Sequence, residues 1–172
     1  MSDAPFHLLR LQSSHDRALF DSGSAPLDNY FRRQVTQDVR RRVTTCYVAL
    51  TPDQRIAGFY TLASAALLLS DLPADKVKKL PRYPTVPAVR VGRLAVDRDF
   101  KGLGLGGALL ADALERAIRA EIAAYALVVD AKDESAAEFY RHHGLMAFPG
   151  QPVALFLPLA TASRAELDRA QL

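Results

Sequence analysis

A single cysteine, Cys46, stands among 172 residues, so no internal disulfide can form. Long apolar runs are lacking too. The longest, Leu62 to Leu69 (LASAALLL), is broken by Ser64 and followed by Ser70-Asp71, far short of the ~20 residues a membrane span needs. The N-terminal stretch MSDAPFHLLRLQSSHD does not have the basic, apolar and small-residue order of a signal peptide. Together these features predict a soluble, cytoplasmic protein with no membrane association. Repeats and low-complexity segments are also missing. Hydrophobic residues at 49% and charged residues at 24% match an ordinary globular chain. The length suits one well-buried core, so a single domain over residues 1–172 is expected.

The net charge of +3 is unevenly placed. Residues 1–104 hold 16 Lys+Arg against 10 Asp+Glu, and residues 105–172 hold 6 against 9. Such asymmetry points to an anionic partner at the first half, with ordinary solvated faces as the competing account.

The order of elements carries more. Phe6 to Leu11 suits a first strand. Pro26-Leu27-Asp28 opens a helical stretch to about Val39, with Leu27, Tyr30, Phe31 and Val35 on one face. Thr44 to Leu50 and Ile56 to Ala63 form a hairpin about the polar turn Thr51-Pro52-Asp53-Gln54. Lys76 to Pro87 reads as a loop because of its prolines, and Val89 to Val96 as the next strand. Leu110, Ala113, Leu114, Ala117 and Ile118 then recur at helical spacing. Ala126 to Asp130 is a short strand, Asp133 can cap a helix that stops at Gly144, and Val153 to Leu157 is the last strand. One βαβ unit following antiparallel hairpins predicts an α+β fold with a mixed sheet.

Between the strand and the βαβ helix lies DFKGLGLGGALL, Asp99 to Leu110. Glycines at a helix entry leave backbone N–H groups open to an anion and remove the Cβ atoms that would bar its approach. A P-loop is excluded because Ala108, not Lys-Ser/Thr, follows Gly106-Gly107. A dinucleotide fingerprint is excluded because Asp97 to Lys101 separate the strand from the first glycine, and only one βαβ unit exists.

The segment Lys101-Gly102-Leu103-Gly104-Leu105-Gly106 resembles the Arg/Gln-x-x-Gly-x-Gly/Ala loop of the GNAT acetyltransferases, with Lys in place of the usual first residue. Phe20 to Gly23, Leu27 to Phe31, Gly58 to Leu62, Gly92 to Asp97 and Phe139 to Gly144 are similar, in that order, to the GNAT toxins of type II toxin–antitoxin modules. The resemblance implies a GNAT fold: a mostly antiparallel central sheet flanked by helices, with a splayed strand pair. It implies acetyl-coenzyme A as co-substrate, held by Lys101, Gly102, Leu103, Gly104, Leu105, Gly106 and Gly107 at its pyrophosphate and by the strand end Leu94-Ala95-Val96 along its pantetheine arm. Aminoacyl-tRNA is the implied acceptor at its α-amino group, which blocks translation. A ribbon-helix-helix antitoxin and a homodimer are the implied partners. Tyr140 matches the tyrosine that serves as general acid toward the coenzyme A sulfur.

Adjacent helical positions lie about 100° apart, so Phe139 is expected to pack and Tyr140 to reach a cleft. Arg32, Arg33, Arg82, Arg90 and Arg93 are candidates for the tRNA acceptor stem, whereas Arg40-Arg41-Arg42 reads as a solvated loop. No carboxylate is placed as a general base, and an α-amino group of pKa ~8 has a neutral fraction without one. Cys46 reads as a small core residue, and adjacent His142 and His143 suit a helix end better than a shared metal; no metal is expected. Two other readings stay open: an acetyltransferase for a small amine or a protein N-terminus, and a non-catalytic coenzyme A-binding module.

Overall fold

The computed structural model describes residues 5–163, so both ends of the expected 1–172 domain lie outside the described residues. Within them the strands are β1 (His7–Arg10), β2 (Thr45–Leu50), β3 (Ile56–Leu68), β4 (Thr85–Val96), β5 (Ala126–Asp130), β6 (Met146–Phe148) and β7 (Gln151–Pro158). They take the order β1-β2-β3-β4-β5-β7-β6. Helices are α1 (Ala25–Asn29), α2 (Val35–Arg40), α3 (Ala74–Val77), α4 (Leu105–Arg119) and α5 (Glu134–His142). The β4–β5 pair is parallel, and β1–β2, β2–β3, β5–β7 and β6–β7 are antiparallel. This is the mixed α+β sheet that the pattern predicts, and mostly antiparallel as the resemblance implies. No helix of the described residues is long and apolar enough to cross a membrane.

The chain forms two compact units, one of residues up to Ala63 with Gly92–Ala113, the other of Ser64–Val91 with residues from Leu114 on. In the first unit the hairpin closes as expected, with Thr51 N–H donating to Arg55 O at 2.9 Å. Between α1 and α2 the chain makes one wide π turn, Tyr30–Gln34. Tyr30, Phe31 and Val35 are buried on the face read from the sequence. Phe31 stacks on Phe59 of β3 at 4.2 Å, and Phe20 meets both rings edge-on. Burying one such ring contributes roughly 1.5–3 kcal/mol. Gly58 admits α4 to the sheet: a Cβ there would stand 3.0 Å from both Ala95 O and Leu109 Cδ1.

The end of β4 is fastened by Asp97, which is 2% exposed. Its carboxylate accepts from Asp21 N at 3.0 Å, from Asp99 N at 3.0 Å and from Arg55 Nη2 at 3.2 Å. Its own N–H donates to Ala57 O at 2.8 Å. Every oxygen of a buried carboxylate must find donors, and here those donors tie three separate segments together.

In the second unit, β4 pairs with β5 from Ala88–Ala126 to Val91–Val129. The core gathers Leu67, Leu72, Val86, Val128, Phe148 and Phe156. One expectation is corrected here. Lys76 to Pro87 is not all loop, since α3 reaches Val77 and β4 begins at Thr85. Pro87 fits a strand because its one polar group, the carbonyl, accepts from Tyr125 N at 2.8 Å. The strand β6 was hidden from the pattern because three residues are too few to show alternation. The α5 signals hold: Asp133 accepts from Ala136 N at 2.8 Å, and Gly144 has φ +96°.

Replacing Asp97 by Ala leaves two backbone donors without a partner in a buried place, so stability should fall by about 2–4 kcal/mol. Urea unfolding of the variant checks this, and a loss under about 0.5 kcal/mol would show that Asp97 is not a fastening point.

Candidate active site

The glycine segment divides into two parts. Gly102 and Gly104 form the loop with φ of +80° and +79°, and among the described residues nothing beyond the chain neighbours lies within 4 Å of where a Cβ would be on either. Gly106 and Gly107 are instead in the first turn of α4. That helix closes its first bond from Ala108 N to Gly104 O at 3.1 Å. The amides ahead of it, Leu105 to Gly107, are those an α-helix leaves without an internal acceptor. Lys101 is exposed, and its ammonium donates to Ser22 O at 2.8 Å. It therefore braces the loop against the segment after Phe20. The site fits an anion on three counts: left-handed glycines, open space above them and the positive end of a 15-residue helix.

The strand end Leu94-Ala95-Val96 leads into this loop through Asp97. Ala95 is buried in the cluster with Tyr30, Phe31 and Phe59, while Leu94 and Val96 are half-buried.

Tyr140 belongs to the second unit. The expected division of labour with Phe139 is reversed in burial: Tyr140 is only 8% exposed and Phe139 is half-buried, with its ring edge-on to Tyr140 and to His143. The 100° offset is real, but the core takes the larger part of Tyr140. No described residue bonds its hydroxyl, and no buried side-chain polar atom among the described residues lacks a partner. The oxygen is therefore not sealed from solvent. Burial pushes its pKa up to about 12, so the phenol keeps its proton at neutral pH.

Cys46 is buried, and burial raises its thiol to about 12 against a smaller opposing pull from Arg17. It is a core residue, as read. His142 and His143 sit exposed at the end of α5 with rings 5.2 Å apart. Desolvation and then His142 lower the His143 pKa.

The five candidate arginines do not form one set. Arg32, Arg33 and Arg93 lie in the first unit, Arg82 and Arg90 in the second. Arg32 is engaged internally, donating to Phe20 O at 2.5 Å. Arg90 pairs with Asp130. Arg33 and Arg82 are exposed. Arg93 lies over the Tyr30 ring. Reading the sequence missed Asp97 and Thr61 as supports; only the Asp-x-Asp spacing of Asp97 and Asp99 hinted at a side-chain-capped turn.

The model described as the acetyltransferase (GNAT) family matches residues 9–145. A tRNA-acetylating toxin of Mycobacterium tuberculosis is 34% identical over 155 residues, which cover 89% of this chain and 92% of that protein. A probable toxin TacT of Sinorhizobium fredii is 29% identical over 157 residues, 86% and 87% of the two chains. Among solved structures, AtaT complexed with acetyl-methionyl-tRNAfMet matches with a TM-score of 0.86 at 28% identity, over 93% of this chain and 98% of that one. AtaTR bound with acetyl-CoA matches at 0.81 and 27%, over 94% and 98%. The chain belongs to the GNAT acetyltransferase family.

The raised groups make an alkaline prediction. Cys46, Tyr30 and Tyr140 all lie at about 12 in the folded chain. Between about pH 9 and 12 the unfolded chain has released protons that the folded chain still holds, so stability falls as pH rises through that window. The urea midpoint should drop from pH 9 upward, and Cys46→Ala should remove the earliest part of the drop; a flat profile to pH 11 would contradict it.

Proposed function

We propose that this chain is a toxin that transfers acetyl from acetyl-coenzyme A to the α-amino group of aminoacyl-tRNA. The observation that carries the reading is the glycine loop at the start of α4, with φ of +80° and +79° and, among the described residues, nothing beyond the chain neighbours within 4 Å of its two Cβ positions. The relatives named above support the acceptor. Bound acetyl-coenzyme A supplies the acetyl thioester. Lys101, Gly102, Leu103 and Gly104, with the amides of Leu105, Gly106 and Gly107, receive its pyrophosphate. Lys101 acts there as a brace and a nearby positive charge, since its ammonium already meets Ser22 O.

Leu94, Ala95 and Val96 offer backbone to the pantetheine arm. Tyr140 donates its proton to the departing sulfur, a role suited to a buried phenol with a solvent-reaching hydroxyl. The acceptor amine needs no dedicated base, because a pKa near ~8 leaves an appreciable neutral fraction. Of the arginines, Arg33, Arg82 and Arg93 have N–H groups to offer phosphates, whereas Arg32 and Arg90 take part only after exchanging their present partners. The whole chain acts as one domain in the cytoplasm; the family match over residues 9–145 supports the one-domain reading. A homodimer held in check by a ribbon-helix-helix antitoxin completes the reading.

Incubation with acetyl-coenzyme A and total charged tRNA tests it directly. Acetylated aminoacyl groups should appear, and acetylation of free amines alone would overturn it. Tyr140→Phe should lower kcat by about 10²-fold or more while acetyl-coenzyme A affinity, measured by calorimetry, stays within about twofold. Equal turnover removes Tyr140 from the chemistry. Gly104→Val forces a β-branched residue into the left-handed region and sets a side chain where phosphate approaches. Acetyl-coenzyme A binding should be lost while the circular dichroism spectrum stays native; unchanged affinity would refute the cradle.

A further inference from the structure

Arg93 is fixed at both ends within the first unit. Its backbone N–H donates to Thr61 Oγ1 at 3.0 Å, and Thr61 is 1% exposed. Gly92 makes this possible, since a Cβ there would stand 2.9 Å from the same oxygen. At the other end, the guanidinium carbon lies 3.5 Å from the centre of the Tyr30 ring. Tyr30 is 5% exposed, opens the π turn, and donates from its hydroxyl to Asp38 Oδ2 at 2.9 Å. Burial first, and then the bond to Asp38, hold this phenol at about 12, so the ring stays neutral beneath the cation. π turns inside helices occur frequently at functional sites.

Arg93 itself is exposed, and no carboxylate among the described residues pairs with it. A guanidinium stacked on one face keeps its planar N–H edge for a two-oxygen acceptor, and its ordering cost is already met by the ring. Strand alternation sets Arg93 and Ala95 on one face of β4, and Ala95 shares the cluster of Tyr30. The helix α4 lies on the other face, where Tyr60 donates to Asp112.

Resting on the tRNA reading above, we propose that Tyr30 and Asp38 hold Arg93 as a phosphate receptor for the acceptor end of the tRNA, on the sheet face opposite α4. Arg93 is the residue that touches the nucleic acid. Tyr30 is its positioning residue.

Binding of uncharged tRNA across a salt series, with KM for aminoacyl-tRNA and for acetyl-coenzyme A, tests this on the full chain. Arg93→Ala should weaken tRNA binding about tenfold and flatten the log K against log salt slope by about one, with the acetyl-coenzyme A KM unmoved. Arg93→Lys should restore the slope but only part of the affinity. Tyr30→Leu should raise the tRNA KM with no change of slope, and Tyr30→Leu with Arg93→Ala should be no weaker than Arg93→Ala alone. If Tyr30→Leu does not fold, Tyr30→Phe and Asp38→Asn supply the same cycle at the hydroxyl. Additive losses, a shift in the acetyl-coenzyme A KM, or tRNA binding unmoved by Arg93→Ala would each overturn the receptor. A loss confined to binding of a poly-glutamate peptide would overturn it in favour of an acidic protein partner. Acetylation of aminoacyl-tRNA by the wild type alongside a null Arg93 result discards the receptor only; absence of that acetylation discards the tRNA reading itself.

Discussion

Four hydrogen bonds converge on Asp97, three into its buried carboxylate and one from its own amide. They join the end of β4 to Asp21, to Asp99 and to the hairpin residues Arg55 and Ala57. Neighbouring contacts repeat the same connection: Arg98 N donates to Asp21 O, Lys101 Nζ to Ser22 O, and Ser22 in turn to Asp28. The glycine loop is open at Gly102 and Gly104, where among the described residues nothing beyond the chain neighbours lies within 4 Å of the Cβ positions. Its position is therefore set from outside, by a charged hydrogen-bond belt in a place where leaving any donor unmade is costly.

Under the proposed function, that belt lets a loop of low intrinsic order act as a binding element. Glycine loses the most backbone freedom on folding, and flanking anchors limit how much of that loss falls on ligand binding. The helix α4 supplies the other half. It is brought against β3 by the missing side chain at Gly58 and bonded by Tyr60 to Asp112, so the amides at its N-terminus stand on a rigid support.

The positive half of the chain is less free than its count of cations suggests. Arg17 and Arg32 donate to the backbone carbonyls of Phe31 and Phe20, Arg55 pairs with Asp97 and Asp99, and Arg98 pairs with Asp21. Four of the 16 basic residues of 1–104 are thus part of the internal belt and of the π turn, and the set left for an anionic partner is smaller than the count. Counting charges could not separate these groups, because whether a guanidinium meets a carbonyl or the solvent depends on segments far apart in sequence.

By itself the sequence determined the order of elements, the amphipathic faces of the helical stretch from Ala25 and of α4, the two ends of α5 and the place of the glycine loop at a helix entry. All of these follow from periodicity, capping residues and glycine conformation, which act over a few residues. Motif order was also enough for the family resemblance. Tertiary structure alone decided that Tyr140 is buried more than Phe139, that β6 exists, that Pro87 lies in a strand, and that Lys101 braces Ser22. It alone stacked Arg93 on Tyr30 and gathered four bonds at Asp97. These depend on which strand or turn meets which, across tens of residues, and a local pattern carries no record of that meeting.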